Sequence, residues 1–440
     1  MKDYKEFFKN KKITVMGLGL LGGVRDICFL AEMGASLIVT DLKNKEDLRS
    51  SLDVLKKFKN IRYTLGGHNL KDFQNRDLII KAPTTPLDSI YIKEAHENKI
   101  SVTMWAALFS EFARDLGATI IGVTGTRGKT TATAMIVEVL MAAQKKVIFG
   151  GNIQGTAILS NLPKLTSETI VVLELDSWKL QGFDELKISP NISVFTTFFP
   201  DHLNYYDGDI KKYFLDKSNI FKYQKKNDLL IVGSQVVPFI KKYSSAPEGK
   251  VIIPKAKLPS GWRLKVLGEH NVYDAMLVVE VARALGLKDL IIKKALGAFK
   301  GVEGRLQFVK KVRGVKYYND TTATTPEATI AALRALRKNK NIILIAGGSD
   351  KGLDMNTLIK EISKYCRNVI LLSGTGTNQI KNKIRGAIEV DSLKNAISEA
   401  QKLSKKSGVI LLSPAFASFG MFKNEYDRGD QFLSILKELE

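Results

Sequence analysis

The feature that most constrains this chain is a rhythm. Apolar runs of strand length alternate with amphipathic runs of helix length over nearly all of its 440 residues. The strand-like runs include Ile13–Met16, Leu37–Thr40, Leu78–Ile80, Thr119–Val123, Ile170–Leu175, Ile192–Thr196, Ile342–Ala346, Val369–Ser373 and Gly408–Ser413. A strand buried on both faces reads as a continuous apolar run, and the helices that cover a parallel sheet supply the amphipathic stretches between. The chain is therefore expected to be α/β. Glycines at three strand ends, Gly17, Gly122 and Gly347, can each open a new α/β unit. At roughly 100–200 residues per domain the length allows two to four domains. Boundaries are expected near residues 106 and 301, giving segments 1–106, 107–301 and 302–440.

The first glycine cluster is Gly17-Leu18-Gly19-Leu20-Leu21-Gly22, after the strand Lys12–Met16 and before a helix. A second strand, Ser36–Thr40, ends at Asp41. This is GxGxxG in the right context, with an acid about 20 residues on. Glycines permit a tight turn, and the helix N-terminus can face a diphosphate. NAD, another nucleotide diphosphate such as a UDP-sugar, and a merely structural turn all fit these residues.

The second cluster is sharper. Gly122-Val123-Thr124-Gly125-Thr126-Arg127-Gly128-Lys129-Thr130-Thr131 stands between a strand and an apolar helix. It nearly matches GxxxxGK[ST], except that the first glycine of that pattern would fall at Val123. Successive backbone N–H groups in such a loop cradle phosphate oxygens. Lys129 would neutralise β/γ charge and the Thr130 hydroxyl would ligate Mg²⁺. ATP is the expected ligand.

In the middle segment, Glu174 ends one apolar run, Asp201 and His202 follow another, and Lys217 lies fifteen residues beyond His202. Any one of these reads alone as a solvated loop charge. Ligands of α/β folds collect at the carboxyl ends of strands, which favours Glu174 and His202 as site groups. Four further clusters are, singly, ordinary turn chemistry. They are Gly268-Glu269-His270-Asn271 with Asp274, Gly304-Arg305 with Asn319-Asp320-Thr321-Thr322-Ala323-Thr324, Gly347-Gly348-Ser349-Asp350-Lys351, and Ser413-Pro414-Ala415-Phe416-Ala417-Ser418.

Composition narrows the function classes. The longest apolar runs are strand-length, far short of the roughly 20 residues that span a bilayer, so no membrane insertion is expected. The opening Met1-Lys2-Asp3-Tyr4-Lys5-Glu6 is charged, and no leader peptide is expected. Cys28 and Cys366 form no CxxC pattern, which fits a reducing cytoplasm. Lys+Arg minus Asp+Glu is 67 − 45, or +22. The lysines are scattered and no aromatic-interleaved basic motif occurs, so a solvated surface that also attracts polyanionic small substrates is expected rather than specific nucleic-acid binding.

Taken in this order, the motifs resemble those of the Mur ligases, and most closely the branch of that family that adds D-glutamate. The resemblance covers nearly the full length. It is most specific at Gly125–Thr131, Glu174, Asp201-His202 with Lys217, Gly268–Asn271, Asn319-Asp320 and Ser413–Ser418. It implies three domains: a Rossmann-like N-terminal domain, a central P-loop ATPase-type parallel-sheet domain and a Rossmann-like C-terminal domain. It implies a cytoplasmic, monomeric enzyme of peptidoglycan precursor synthesis. With ATP and Mg²⁺, that enzyme joins UDP-N-acetylmuramoyl-L-alanine to D-glutamate through an acyl phosphate. By position, the resemblance assigns Gly19, Leu20, Leu21, Asp41 and Asn152 to the sugar nucleotide rather than to NAD. Gly125, Thr126, Arg127, Gly128, Lys129, Thr130, Thr131, Asn271, Arg305 and Asp320 go to ATP. Thr130, Glu174, His202 and Lys217 go to Mg²⁺, with Lys217 matching a lysine that is carbamylated in the family. Lys129, His202 and Lys217 are the implied catalytic residues, and Thr324, Lys351 and Ser418 hold the amino acid.

The chain departs from the family pattern in places. Ser-Ser-Phe-Gln is replaced by Asp176-Ser177-Trp178-Lys179, a frequent asparagine by Asp274, and the histidine of a His-Arg pair by Gly304 before Arg305. A lysine of the family is Thr322, and an aromatic residue of the glutamate pocket is Glu425. Two other readings stand beside this one. One is a sister ligase, such as an L-alanine-adding enzyme. The other is a nucleotide-switched protein that uses its basic charge on nucleic acid.

Overall fold

The computed structural model describes residues 3–18, 22–150, 157–255, 257–337, 341–404 and 407–439. Among the described residues the fold is α/β with three sheets, and the chain divides into two compact units. One unit comprises Met1–Leu258 with Asp274–Leu296, and the other Pro259–Tyr273 with Gly297–Glu440.

The first unit holds two sheets, both wholly parallel. Strands β1 (Lys12–Met16), β2 (Ser36–Asp41), β3 (Ile61–Leu65), β4 (Leu78–Lys81) and β5 (Ser101–Thr103) lie in the order β3-β2-β1-β4-β5. Strands β6 (Thr119–Thr124), β7 (Val147–Gly150), β8 (Ile170–Glu174), β9 (Ile192–Phe195), β10 (Leu229–Val232) and β11 (Lys250–Ile252) lie in the order β11-β10-β9-β6-β8-β7. Every residue of β8, β9 and β10 is buried, as their mainly apolar sequences favour. One apolar cluster runs from Phe8, on the helix Tyr4–Phe8, and Ile13 of the first sheet through Phe109 and Phe112 to Val171 and Phe195 of the second. Asp26, on the helix Gly22–Glu32, accepts from the Ile158 and Ser160 amides at 3.1 and 3.0 Å. This carboxylate caps a turn of the second sheet's layer, and burial raises its pKa to about 6.

The second unit holds β12 (Gln307–Val312), β13 (Val315–Asn319), β14 (Ile342–Gly347), β15 (Cys366–Leu372), β16 (Ile388–Val390) and β17 (Val409–Leu412), in the order β12-β13-β17-β14-β15-β16. Only β12, at one edge, is antiparallel to its neighbour. Apolar clusters fill both faces, around Leu344 and Leu411 on one and Ile345 and Leu412 on the other.

Two local expectations change. Gly122 is interior to β6 rather than at its end, and a Cβ there would lie 2.5 Å from the Pro190 ring and 3.2 Å from Leu175. It is glycine because the neighbouring layer sits too close for a side chain. The Gly268–Asn271 cluster, which alone reads as turn chemistry, instead opens the helix Glu269–Ala284, with Glu269–Asn271 in its first turn. Among the described residues no helix is long and apolar enough to cross a membrane.

Candidate active site

The centre of the second sheet builds the site. Strands β8, β6 and β9 are neighbours and parallel, so Glu174, the glycine loop and the residues after Phe195 emerge at one edge. The loop turns at Gly125 (φ 145°) and Gly128 (φ 88°), conformations that side chains with a Cβ disfavour. Space forbids a Cβ as well. At 125 it would meet the Thr196 hydroxyl at 2.0 Å, and at 128 the Asp274 carboxylate at 2.4 Å. The β9 side grips the loop from beneath. The Thr126 amide donates to the Thr197 carbonyl at 2.7 Å and the Arg127 amide to Thr197 Oγ1 at 2.9 Å. Thr131 lies in the first turn of the helix Lys129–Ala142 that the loop opens.

Two lysine side chains converge on one acceptor. Lys129 Nζ donates to the Gly125 and Thr126 carbonyls at 2.9 and 3.3 Å. Lys217 Nζ donates to the same Gly125 carbonyl at 3.0 Å and lies 4.9 Å from the Tyr213 ring. Lys217 is 1% exposed. Burial first, and the nearby Lys129 charge second, hold its pKa well below the usual lysine value. Thr130 Oγ1 donates to Glu174 Oε1 at 3.0 Å. Glu174 is 2% exposed, and its other oxygen, Oε2, is buried without a partner. A buried, unpartnered carboxylate oxygen beside a hydroxyl is the donor chemistry a hard cation takes. Among the described residues no three His, Cys, Asp or Glu side chains form a preset cage. A Mg²⁺ site here would therefore draw on water and phosphate oxygens as well, as Mg²⁺ sites commonly do.

The third strand end brings Asp201 and His202. Arg127 donates to Asp201 Oδ2 at 3.0 Å, and the His202 amide to Asp201 Oδ1 at 3.0 Å. His202 sits at φ 53°, its ring 4.7 Å from Trp178 and 6.1 Å from Tyr213. The Trp178 indole nitrogen is buried without a partner. Asp176 caps the helix Ser177–Glu185 and pairs with Lys179 at 3.0 Å. Burial pushes its pKa upward, but the Lys179 charge and hydrogen bonds prevail and hold it below the usual carboxylate value. Sequence reading missed the Arg127–Asp201 pair and the Tyr213 ring under Lys217.

In the first sheet, Asp41 Oδ2 accepts from the Leu18 amide at 2.8 Å and Oδ1 from the Lys43 amide at 2.9 Å. The carboxylate thus ties the glycine turn to the end of β2. Gly17 turns at φ 95°, where a Cβ would meet that of Ala82 at 2.9 Å. Gly19, Leu20, Leu21 and Asn152 lie outside the described residues.

In the second unit, Thr324, Lys351 and Ser418 follow β13, β14 and β17, three adjacent parallel strands. Backbone bonds lace their turns together, Ala415 N to Ala323 O at 2.8 Å and Ser349 N to Ala417 O at 2.9 Å. Lys351 Nζ reaches Thr324 Oγ1 at 3.1 Å, and Ser418 is buried. Asp320 accepts from the Leu306 amide at 2.8 Å and the Ser413 hydroxyl at 2.7 Å. Burial raises its pKa to about 7, against those bonds and the nearby Arg305 charge. Asn271 donates to the Leu267 carbonyl at 2.6 Å. Glu425 opens the helix Glu425–Lys437, near the buried guanidinium of Arg428, whose pKa falls with burial to about 10 against the Glu425 charge.

Comparison with known proteins agrees along the whole chain. Residues 11–104 match the MurD-like N-terminal domain of Mur ligases, residues 123–253 the Mur ligase middle domain, and residues 304–416 the Mur ligase glutamate ligase domain. The chain is 34% identical to the UDP-N-acetylmuramoylalanine–D-glutamate ligase of Roseiflexus sp. (strain RS-1), over 97% of this chain and 98% of that protein. It is 35% identical to the enzyme of that name from Borreliella burgdorferi, over 98% of each. Its fold is shared by the MurF ligase of Thermotoga maritima solved in complex with ADP, with a TM-score of 0.64, 16% identity, and coverage of 100% of this chain and 99% of that one. MurC of the same organism, a UDP-N-acetylmuramate-alanine ligase, gives a TM-score of 0.60 at 20% identity, covering 97% of this chain and 99% of that one. With all three domains matched in order and relatives above 30% identity end to end, the chain belongs to the Mur ligases, a family of ATP-dependent ligases.

Proposed function

We propose that the protein joins the amino group of D-glutamate to the carboxylate of UDP-N-acetylmuramoyl-L-alanine, in the cytoplasm, as a monomer. The segments 1–106, 107–301 and 302–440 would take the sugar nucleotide, ATP and the amino acid respectively. The observation that carries this reading is the convergence of Lys129, Lys217, Thr130 and Glu174 on one glycine loop, in a chain whose full-length relatives bear the D-glutamate ligase name.

ATP would supply the phosphoryl group that turns the acceptor carboxylate into an acyl phosphate as ADP leaves; attack by the amine then expels phosphate. The chain's own groups do the rest. The loop amides and Lys129 neutralise charge on the transferring group. Glu174 and Thr130 would hold Mg²⁺, together with Lys217. CO₂ adds to a lysine in its neutral form, toward which burial shifts Lys217, and a carbamate there would be an anionic metal ligand. His202, pinned by Asp201 and Trp178, would orient the reacting carboxylate. The Thr324 and Ser418 hydroxyls and the Lys351 ammonium would grip the two carboxylates of the amino acid through charge-assisted bonds. Asn271, Arg305 and Asp320 would meet the nucleotide.

The test is ADP release against a panel of UDP-muramoyl acceptors and D-Glu, L-Glu, L-Ala and L-Lys. The reading requires UDP-N-acetylmuramoyl-L-alanine with D-Glu to give the highest kcat/KM. Preference for L-Ala on the unsubstituted muramoyl acceptor would move the protein to another step of the same chemistry.

A further inference from the structure

Lys81 is the last residue of β4 and is 1% exposed. A buried ammonium must be hydrogen-bonded and balanced. It donates to the Thr85 carbonyl at 2.9 Å and to Gln181 Oε1 at 3.3 Å. Gln181, on the helix Ser177–Glu185 that follows Glu174, uses its amide nitrogen to donate to Asp216 Oδ2 at 2.8 Å and to the Tyr205 hydroxyl at 3.3 Å. The Tyr206 hydroxyl donates to the same Asp216 oxygen at 3.0 Å. Asp216 directly precedes Lys217. At the other end, Ala82 follows Lys81 and abuts Gly17 of the first glycine loop. One chain of polar groups therefore links β4, the helix after Glu174, the turn after His202 and the helix that carries Lys217.

The polarity of the chain is fixed. The Gln181 oxygen can only accept from the cation, and its nitrogen can only donate to the carboxylate. Burial lowers the Lys81 pKa to about 8, with Asp216 first among the charges that resist it. A sheet and two helices could be joined at lower desolvation cost by apolar side chains. Charged groups here give a defined geometry between elements, which packing alone gives less sharply.

We propose that Lys81, Gln181 and Asp216 form a positioning network through which the glycine-loop end of the first sheet sets the relative placement of Glu174, His202 and Lys217. The proposal rests on the reading of those three as the phosphoryl-transfer site, and none of the network residues touches a reacting atom.

Lys81→Met would leave the half-buried Asp216 without its cation and Gln181 without its donor. The expected result is a kcat lower by about tenfold or more, since small misplacements of reacting groups are costly. The KM for ATP should change by less than about twofold, because the phosphate loop is untouched. Adding Asp216→Asn removes the charge that Lys81 balanced, so the double variant should recover most of the lost kcat, a coupling that independent sites do not show. A second readout does not depend on turnover. Trp178 lies 4.7 Å from the His202 ring and 5.5 Å from that of Tyr205, so its emission reports this turn once Trp105 and Trp262 are replaced by Phe. Lys81→Met should shift that emission and Asp216→Asn should reverse the shift. An emission shift with reversal in a protein that releases no ADP sustains the network and rejects the ligase reading. Should Lys81→Met fail to fold, Gln181→Met keeps both charges while deleting the bridge, and is expected to lower kcat and shift emission likewise. Additive effects in the double variant, or wild-type kcat and emission in Gln181→Met, overturn the proposal.

Discussion

Asp320 offers a test of the energetics that is separate from any assay of turnover. Its carboxyl is buried, braced by the Leu306 amide and the Ser413 hydroxyl, and its pKa rises from the usual 3.8 to about 7 because burial outweighs those bonds. The folded state then holds the proton more tightly than the unfolded chain. The stability associated with this group is full below pH 3.8 and is lost as the pH rises through about 7. At about 1.36 kcal/mol per pH unit, a separation of roughly three units corresponds to about 4 kcal/mol in all, of which about 3 kcal/mol falls between pH ~4.5 and ~7.5. Asp320→Asn keeps the shape and removes the titration. Its amide nitrogen would donate to Ser413 Oγ, whose hydroxyl can turn to Thr329 Oγ1, 3.0 Å away. Any fixed cost of that rearrangement cancels when two pH values are compared. Urea unfolding of both proteins at about pH 4.5 and 7.5 should show the variant gaining about 3 kcal/mol on the wild type across that interval. A difference that stays constant, or that moves the other way, would refute the assignment of a reluctant, buried acid.

Lys129→Ala should lower ADP formation by about 10²-fold or more while thermal unfolding is unchanged, since it removes an oriented cation from the phosphate loop. Lys217→Ala should be inactive and regain measurable turnover with added formate or acetate; full activity without them would exclude a carbamate. Lys351→Ala should raise the KM for D-glutamate about tenfold or more with little change in the KM for ATP, measured in the same ADP-release assay.

The sheets were legible because strands buried on both faces leave no polar interruption, and β8, β14 and β17 stand within a residue or two of where their apolar runs predicted them. What escaped notice had a local signal that pointed elsewhere. Gly122 looked like punctuation, yet it is demanded by the Pro190 ring across the layer. The start of the helix Glu269–Ala284 is polar and has no apolar period, so periodicity finds it only one or two turns later. Edge strand β12, Gln307–Val312, carries two lysines, so no continuous apolar run marks it. In the site, motif residues announce themselves by spacing, but their partners do not. Arg127 meets Asp201 across 74 residues and Lys217 meets the Gly125 carbonyl across 92, and no local pattern encodes either pairing.

The strand order of the last sheet bears on how the protein comes into being. Strand β17 is the final strand in the chain, yet it lies between β13 and β14 and hydrogen-bonds to both. Until Val409–Leu412 have been synthesised, those two strands have no shared neighbour and each shows a bare edge to the cell. The nascent protein thus passes through a stage in which its earlier sheets can be complete while this one stands open. Ser418 and the turn that brings Lys351 toward Thr324 are set only when the last strand slides into the gap. Chaperone binding to ribosome-bound chains should accordingly persist until that strand has been made, and a chain halted before it should be cleared as unfolded rather than survive as a partial enzyme.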